Sequence, residues 1–213
     1  METRKIDFKQ LITSIIAIIA VEIAFGVMMS KNLFHPMVIL GLTRIVQTAM
    51  IFLIVFDKGK CLPAIGMEPS VIFHGIKRGL IWSAAFGSLV AFGFIILLIS
   101  KIDPQTLIHS SLPKDKGDII LLFLVGGFLA PIAEETFFRG ILYGFLRRWG
   151  LVISLLLSAS IFALAHIAVS GAFIIPLIGG ILFASSYEVE KNLFTPITIH
   201  ILGNLAIFAI SFL

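Results

Sequence analysis

Long apolar runs separated by short polar breaks organise this chain. The first run, at about 10–30, follows the charged start METRKIDFKQ, and the second covers about 37–56. The segment DKGKCLPAIGMEPS then reads as a polar turn, Ser70–Gly79 as an amphipathic or partly inserted stretch, and about 80–100 as a third run. KIDPQTLIHSSLPKDKGD is loop-like, with Pro104 and Pro113 as breakers. A fourth run begins near Asp118. Because GILYGFLRRWG remains helix-compatible, one long helix is predicted to about 148. Runs at about 151–168, 171–187 and 193–213 complete the chain. At 1.5 Å per residue each is long enough, or nearly so, for a hydrocarbon core of about 30 Å. Pro176 and Pro196 fall near the starts of the last two, where a missing N–H costs least.

The pattern predicts an all-α, polytopic transmembrane bundle of about seven spans, forming a single integral membrane domain over 1–213. The first run is long enough to span and lacks a clear small-residue cleavage site after it, so it reads as a retained helix. Composition agrees. Of the 213 residues, 59% are hydrophobic and 13% charged, against about 45–50% and about 25% in soluble domains. The single cysteine, Cys61, excludes an internal disulfide. The net charge of +4 is modest and gives no nucleic-acid signal. With the N-terminus in the cytoplasm, Arg4, Lys5, Lys9, Lys58, Lys60, Lys77, Arg78, Arg139, Arg147, Arg148 and Lys191 lie inside, against Lys31, Lys101, Lys114 and Lys116 outside. That imbalance predicts an N-in, C-out protein of the plasma membrane.

Within this apolar background a few polar residues fall at one depth. Glu134 lies 14 residues before Arg148, about 21 Å along a helix, and His166 lies 15 beyond Leu151, about 22 Å. The helices holding them form an antiparallel hairpin about Trp149–Gly150. The last helix starts from the same side and carries His200 about 14 Å and Asn204 about 20 Å beyond Lys191, four residues apart on one face. Four polar groups from three helices therefore reach one layer. Ionisable groups within a membrane are costly and usually face the bundle interior or a wet cavity.

A desolvated carboxylate beside a histidine suits general-base work. With no cysteine or clearly placed serine in the layer, the chemistry points to an activated water and away from an acyl-enzyme. His200 and Asn204 carry donors that could hold an oxyanion. Glu134, His166 and His200 are equally an ordinary ligand set for zinc. Spacing leaves the choice open, since no HExxH arrangement is present. Glu135 and Arg139 stand four apart, and their simplest role is an i,i+4 ion pair supporting the layer. Glu22 and Arg44 lie within the first two spans, so each needs a partner or water, and a direct pair between antiparallel helices is one way to supply it. Gly75–Gly79 and Gly140–Gly144 have the small-residue spacing that lets helices approach closely, and Phe138 and Phe162 read as shape-setting core residues.

EETFFR (Glu134 to Arg139), FALAH (Phe162 to His166) and HILGN (His200 to Asn204) together resemble the EExxxR, FxxxH and HxxxN motifs of the CPBP intramembrane proteases. This is the type II CAAX prenyl endopeptidase family, whose bacterial members include abortive-infection and bacteriocin self-immunity proteins. The resemblance covers about 118–213. It implies a glutamate-dependent endopeptidase in which Glu134 and His166 activate water. His200 and Asn204 would stabilise the oxyanion, with Glu135, Arg139 and Phe162 in support. It implies a membrane-associated peptide or protein as substrate, and the family's metalloprotease label keeps zinc open as a cofactor. The rival expectation is a non-catalytic immunity or scaffolding protein on the same fold.

Overall fold

The computed structural model describes residues 6–32, 34–56, 62–104, 112–170 and 173–212. Arg4, Lys5, Lys58, Lys60, Cys61 and His109 lie outside them. Among the described residues the long helices are α1 (Phe8–Ser30), α2 (Pro36–Phe56), α3 (Ile72–Ile99), α4 (Lys116–Trp149), α5 (Leu151–Ser170), α6 (Ile174–Glu190) and α7 (Phe194–Ile210).

Local chemistry sets the helix ends. Asp7 caps α1 by accepting from the Gln10 amide at 2.8 Å, while the Gln10 side chain accepts from the Asp7 amide at 3.1 Å. Asp115 caps α4 by accepting from the Gly117 and Asp118 amides at 2.8 and 3.3 Å. The α4–α5 turn passes through Gly150 at φ +100°, a backbone angle that favours glycine.

The amphipathic stretch before Leu80 is not separate. It is continuous with the third run, so α3 begins at Ile72. The expectation of about seven spans is met in part. Among the described residues, four helices have the length and apolarity to cross a membrane: α1, α2, α3 with its preceding turn (Pro69–Ile99), and α4. Leu151–Ile167 and Phe194–Ile210 are shorter apolar helices. At 17 residues, α6 and α7 measure about 26 Å, short of a core of about 30 Å. The structure therefore establishes an all-α fold with several apolar helices.

Helices α1 and α2 pack as one antiparallel pair, α5 and α6 as another, and α3 lies along α7. The α3–α7 contact uses the glycine spacing. A Cβ at Gly75 would stand 2.5 Å from Asn192 Oδ1, and one at Gly79 would stand 2.5 Å from Thr198 Cβ. Gly140 and Gly144 instead admit the side chains of Ile65 and Ile6. Phe138, Ile141, Leu142, Phe145 and Leu146 of α4 form the centre of the buried core, joined by Ile51, Val55, Phe162, Phe183 and Ile197. Outward faces remain strongly apolar, with Phe73, Leu89, Phe92 and Leu98 of α3 all exposed.

Candidate active site

Helix α4 is irregular on both sides of its two glutamates. Val125–Leu129 and Thr136–Tyr143 form wide turns of the i→i+5 type, separated by the regular turn Ala130–Glu135. Pro131 explains part of the first. The Ala130 amide bonds to the Val125 carbonyl, so the next carbonyl, that of Gly126, would need an amide at position 131. Proline has none. The Asn204 side chain fills that place, donating to the Gly126 carbonyl at 2.8 Å. A free helix carbonyl and an intramembrane asparagine satisfy each other.

The two adjacent carboxylates face different surroundings. Glu135 and Arg139 are both fully enclosed and pair at 2.9 Å. The same Glu135 oxygen accepts from His200 Nδ1 at 2.8 Å. Arg139 donates a further bond to the Gly180 carbonyl at 3.1 Å. Its guanidinium lies 4.6 Å from the centre of the Phe162 ring and 5.1 Å from that of Phe183.

Glu134 is 19% exposed and is held less tightly. Its Oε2 lies 3.6 Å from His166 Nε2 and 3.8 Å from His200 Nε2. These are ion-pair separations, longer than hydrogen bonds. Each ring is oriented by its other nitrogen. His166 Nδ1 meets the Phe162 carbonyl at 2.8 Å, and His200 Nδ1 meets Glu135. A carbonyl and a carboxylate can only accept, so Nδ1 carries the hydrogen in both rings. Both Nε2 atoms then face one Glu134 oxygen. Phe162 fixes the spacing: its ring centre lies 4.2 Å from His166 and 5.8 Å from His200, while Phe183 stacks on His200 at 4.5 Å.

The structure thus brings Glu134, His166 and His200 together and supports them with Glu135, Arg139 and Phe162. Asn204 is on the same helical face as His200, and its amide is engaged with Gly126. Sequence reasoning missed Phe183, the Gly180 carbonyl and the Glu135–His200 bond. A phenylalanine or a glycine within an apolar run carries no signal of its own. Of the two ways to satisfy Glu22 and Arg44, the structure shows the direct pair, at 2.8 Å. Among the described residues, no group of three His, Cys, Asp or Glu side chains is arranged to hold a metal ion.

A second group of charges lies at the far end of α6, past its apolar run. Glu188 accepts from Tyr143 at 2.7 Å and from Arg147 at 3.0 and 3.1 Å, and pairs with Lys191 at 2.7 Å. Burial alone would push the Glu188 carboxyl up, but the bonds from Arg147, Lys191 and Tyr143 outweigh it and hold it at about 2. Glu190 accepts from Arg78 and Trp82, each at 2.9 Å.

Residues 116–206 match the family model described as type II CAAX prenyl endopeptidase Rce1-like. No curated protein and no solved structure matches the chain. The matched segment runs from the start of α4 into α7 and contains Glu134, Glu135, Arg139, Phe162, His166, His200 and Asn204, so the C-terminal half of this chain carries a CAAX-protease-like domain.

Proposed function

We propose that the protein is an intramembrane endopeptidase that hydrolyses a peptide bond of a membrane-associated peptide or protein, with Glu134 activating the water. The observation that carries this reading is one Glu134 oxygen 3.6 and 3.8 Å from two imidazole nitrogens, inside a CAAX-protease-like domain. Glu134 takes a proton from water as its oxygen bonds to the carbonyl carbon. His166, beside Glu134, holds that proton and returns it to the amide nitrogen as the C–N bond breaks. The second N–H of Asn204, and His200 when Nε2 is protonated, offer donors to the oxyanion. Glu135, locked to Arg139 and His200, positions the His200 ring.

The helices shorter than a full hydrocarbon core cross a locally thinned or tilted boundary in this reading. The chain then crosses the plasma membrane seven times, N-terminus inside, as its Lys and Arg distribution favours. Cys61 should react with an impermeant thiol reagent from the cytoplasmic side. Reaction from the outside alone would reverse the orientation.

The test of the reaction is cleavage of a mixed library of membrane-associated peptides by purified wild type and Glu134→Gln in lipid, read by mass spectrometry. Zinc and chelator arms test the metal in the same assay. Cleavage by wild type and none by a folded Glu134→Gln is the expected result. Equal cleavage by both would remove Glu134 from the mechanism and end this reading.

A further inference from the structure

Outside the matched domain, α1 and α2 place a second polar cluster within apolar helices. Arg44 Nη1 donates to Glu22 and to the Gln47 side-chain carbonyl, each at 2.8 Å, and Gln47 Nε2 donates to Glu22 at 2.9 Å. The three groups close a ring of bonds. Yet the ring is open on one side, because the Glu22 side chain is 48% exposed and that of Arg44 20%. Glu22 is eight residues before Ser30, about 12 Å below that end of α1. A half-exposed carboxylate facing hydrocarbon at this depth is costly, whereas one facing water is not. On the inward side, Arg44 Nε is enclosed and has no partner among the described residues. An enclosed donor of that kind is normally satisfied by internal water.

The cluster also lies beside the candidate active site. Helix α2 packs against the part of α4 that holds Glu134. A side chain at Gly41 would meet Val125 and Leu129, so the two helices are close just before Arg44. Hydrolysis consumes a water at Glu134, while the surrounding outer faces are apolar.

We propose that Glu22, Arg44 and Gln47 form a hydrated port between α1 and α2 through which water reaches Glu134. The ligand of this site is water. Glu22 sits at the mouth, Arg44 spans the throat, and Gln47 ties the two helices together. The inference rests on the proposed hydrolysis for its purpose, but its physical content is hydration and is measured without catalysis.

The test uses the full chain in lipid vesicles with Cys61→Ser as background. Glu22→Cys places a thiol at the mouth. Ile23→Cys places one at almost the same depth about 100° around the helix, where Ile23 is 63% exposed. A small hydrophilic thiosulfonate reacts with the thiolate, which requires water. Glu22→Cys should react at least about tenfold faster than Ile23→Cys, the direction expected when only one of the thiols can ionise. Equal rates, whether fast or slow, overturn the port. If Glu22→Cys does not fold, Gln47→Cys serves as reporter against the same control under the same criterion. Fast labelling in a chain that cleaves no peptide would keep the port and refute the peptidase. Cleavage without differential labelling would do the reverse.

Discussion

Two carboxylate clusters in this molecule are built from similar parts and arranged to opposite ends. At the end of α6, Glu188 is surrounded by Tyr143, Arg147 and Lys191 at 2.7–3.1 Å. Its charge is fully matched, and α4 is tied to α6. In the α4–α5–α7 layer, one Glu135 oxygen is held by Arg139 and His200 at 2.9 and 2.8 Å while the other is enclosed without a hydrogen-bond partner among the described residues, and its neighbour Glu134 keeps both histidines at 3.6 and 3.8 Å. A carboxylate already held by several short bonds has little capacity for a new proton. One with proton carriers just beyond bonding distance can bond to a water seated beside them. The tightly paired groups hold the fold, and the loosely held one is available for chemistry.

The comparison is broken most directly by exchanging the roles of Glu134 and Glu135. Glu134→Gln should lower cleavage by about 10²–10⁴-fold, the usual scale of a general base, and leave thermal unfolding in detergent almost unchanged. Arg139→Leu should show the opposite balance of cause. It strands Glu135 in an enclosed site, and breaking a buried pair costs about 3–5 kcal/mol. The measurement is the unfolding midpoint, and any loss of activity should follow the loss of folded protein. A stable Arg139→Leu protein without activity would place Arg139 in the chemistry instead.

Asn204→Ala sharpens the comparison, because Asn204 belongs to both classes. Its bond to the Gly126 carbonyl repairs the wide turn before Pro131, and leaving that carbonyl without a partner should cost about 1–3 kcal/mol. If its second N–H also serves the oxyanion, kcat falls further than stability explains, while KM stays near wild type. A fall in stability alone would confine Asn204 to the repair.

How far the sequence carried each part follows from what each residue type can signal. Charged and polar residues in apolar helices are conspicuous, so Glu134, His166, His200 and the Glu22–Arg44 pair could be placed by counting rise per residue from the helix ends. Gly75 and Gly79 were visible as a spacing, although only the packed α3–α7 contact shows what they admit. The wide turns of α4 were not legible. Their hydrogen-bond shift depends on Pro131 together with Asn204, 73 positions later, and no local pattern links the two. The orientation of His200 by Glu135 was hidden for the same reason. The span of α7 was overestimated because its apolar run extends past the helix end at Ile210 into a turn at Ser211 and Phe212, and α6 is displaced three residues toward the C-terminus, ending at Glu190.

The smallest expected effect concerns the saturated cluster itself. Glu188 titrates at about 2 in the folded protein and at about 4.3 in an unfolded chain. Its folded value is depressed, so its contribution to stability is fully present above about 4.3 and is lost as pH falls from there toward 2. Unfolding midpoints of wild type should therefore fall across that window. Other carboxylates titrate there too, so the informative quantity is the difference from Glu188→Gln, whose amide cannot change charge. That variant should be less stable than wild type at pH 7, and the gap should close as pH approaches 2. A gap that does not change with pH would mean that Arg147, Lys191 and Tyr143 hold the side chain by shape and hydrogen bonding. The charge at the end of α6 would then not be what sets Glu188 apart from Glu134.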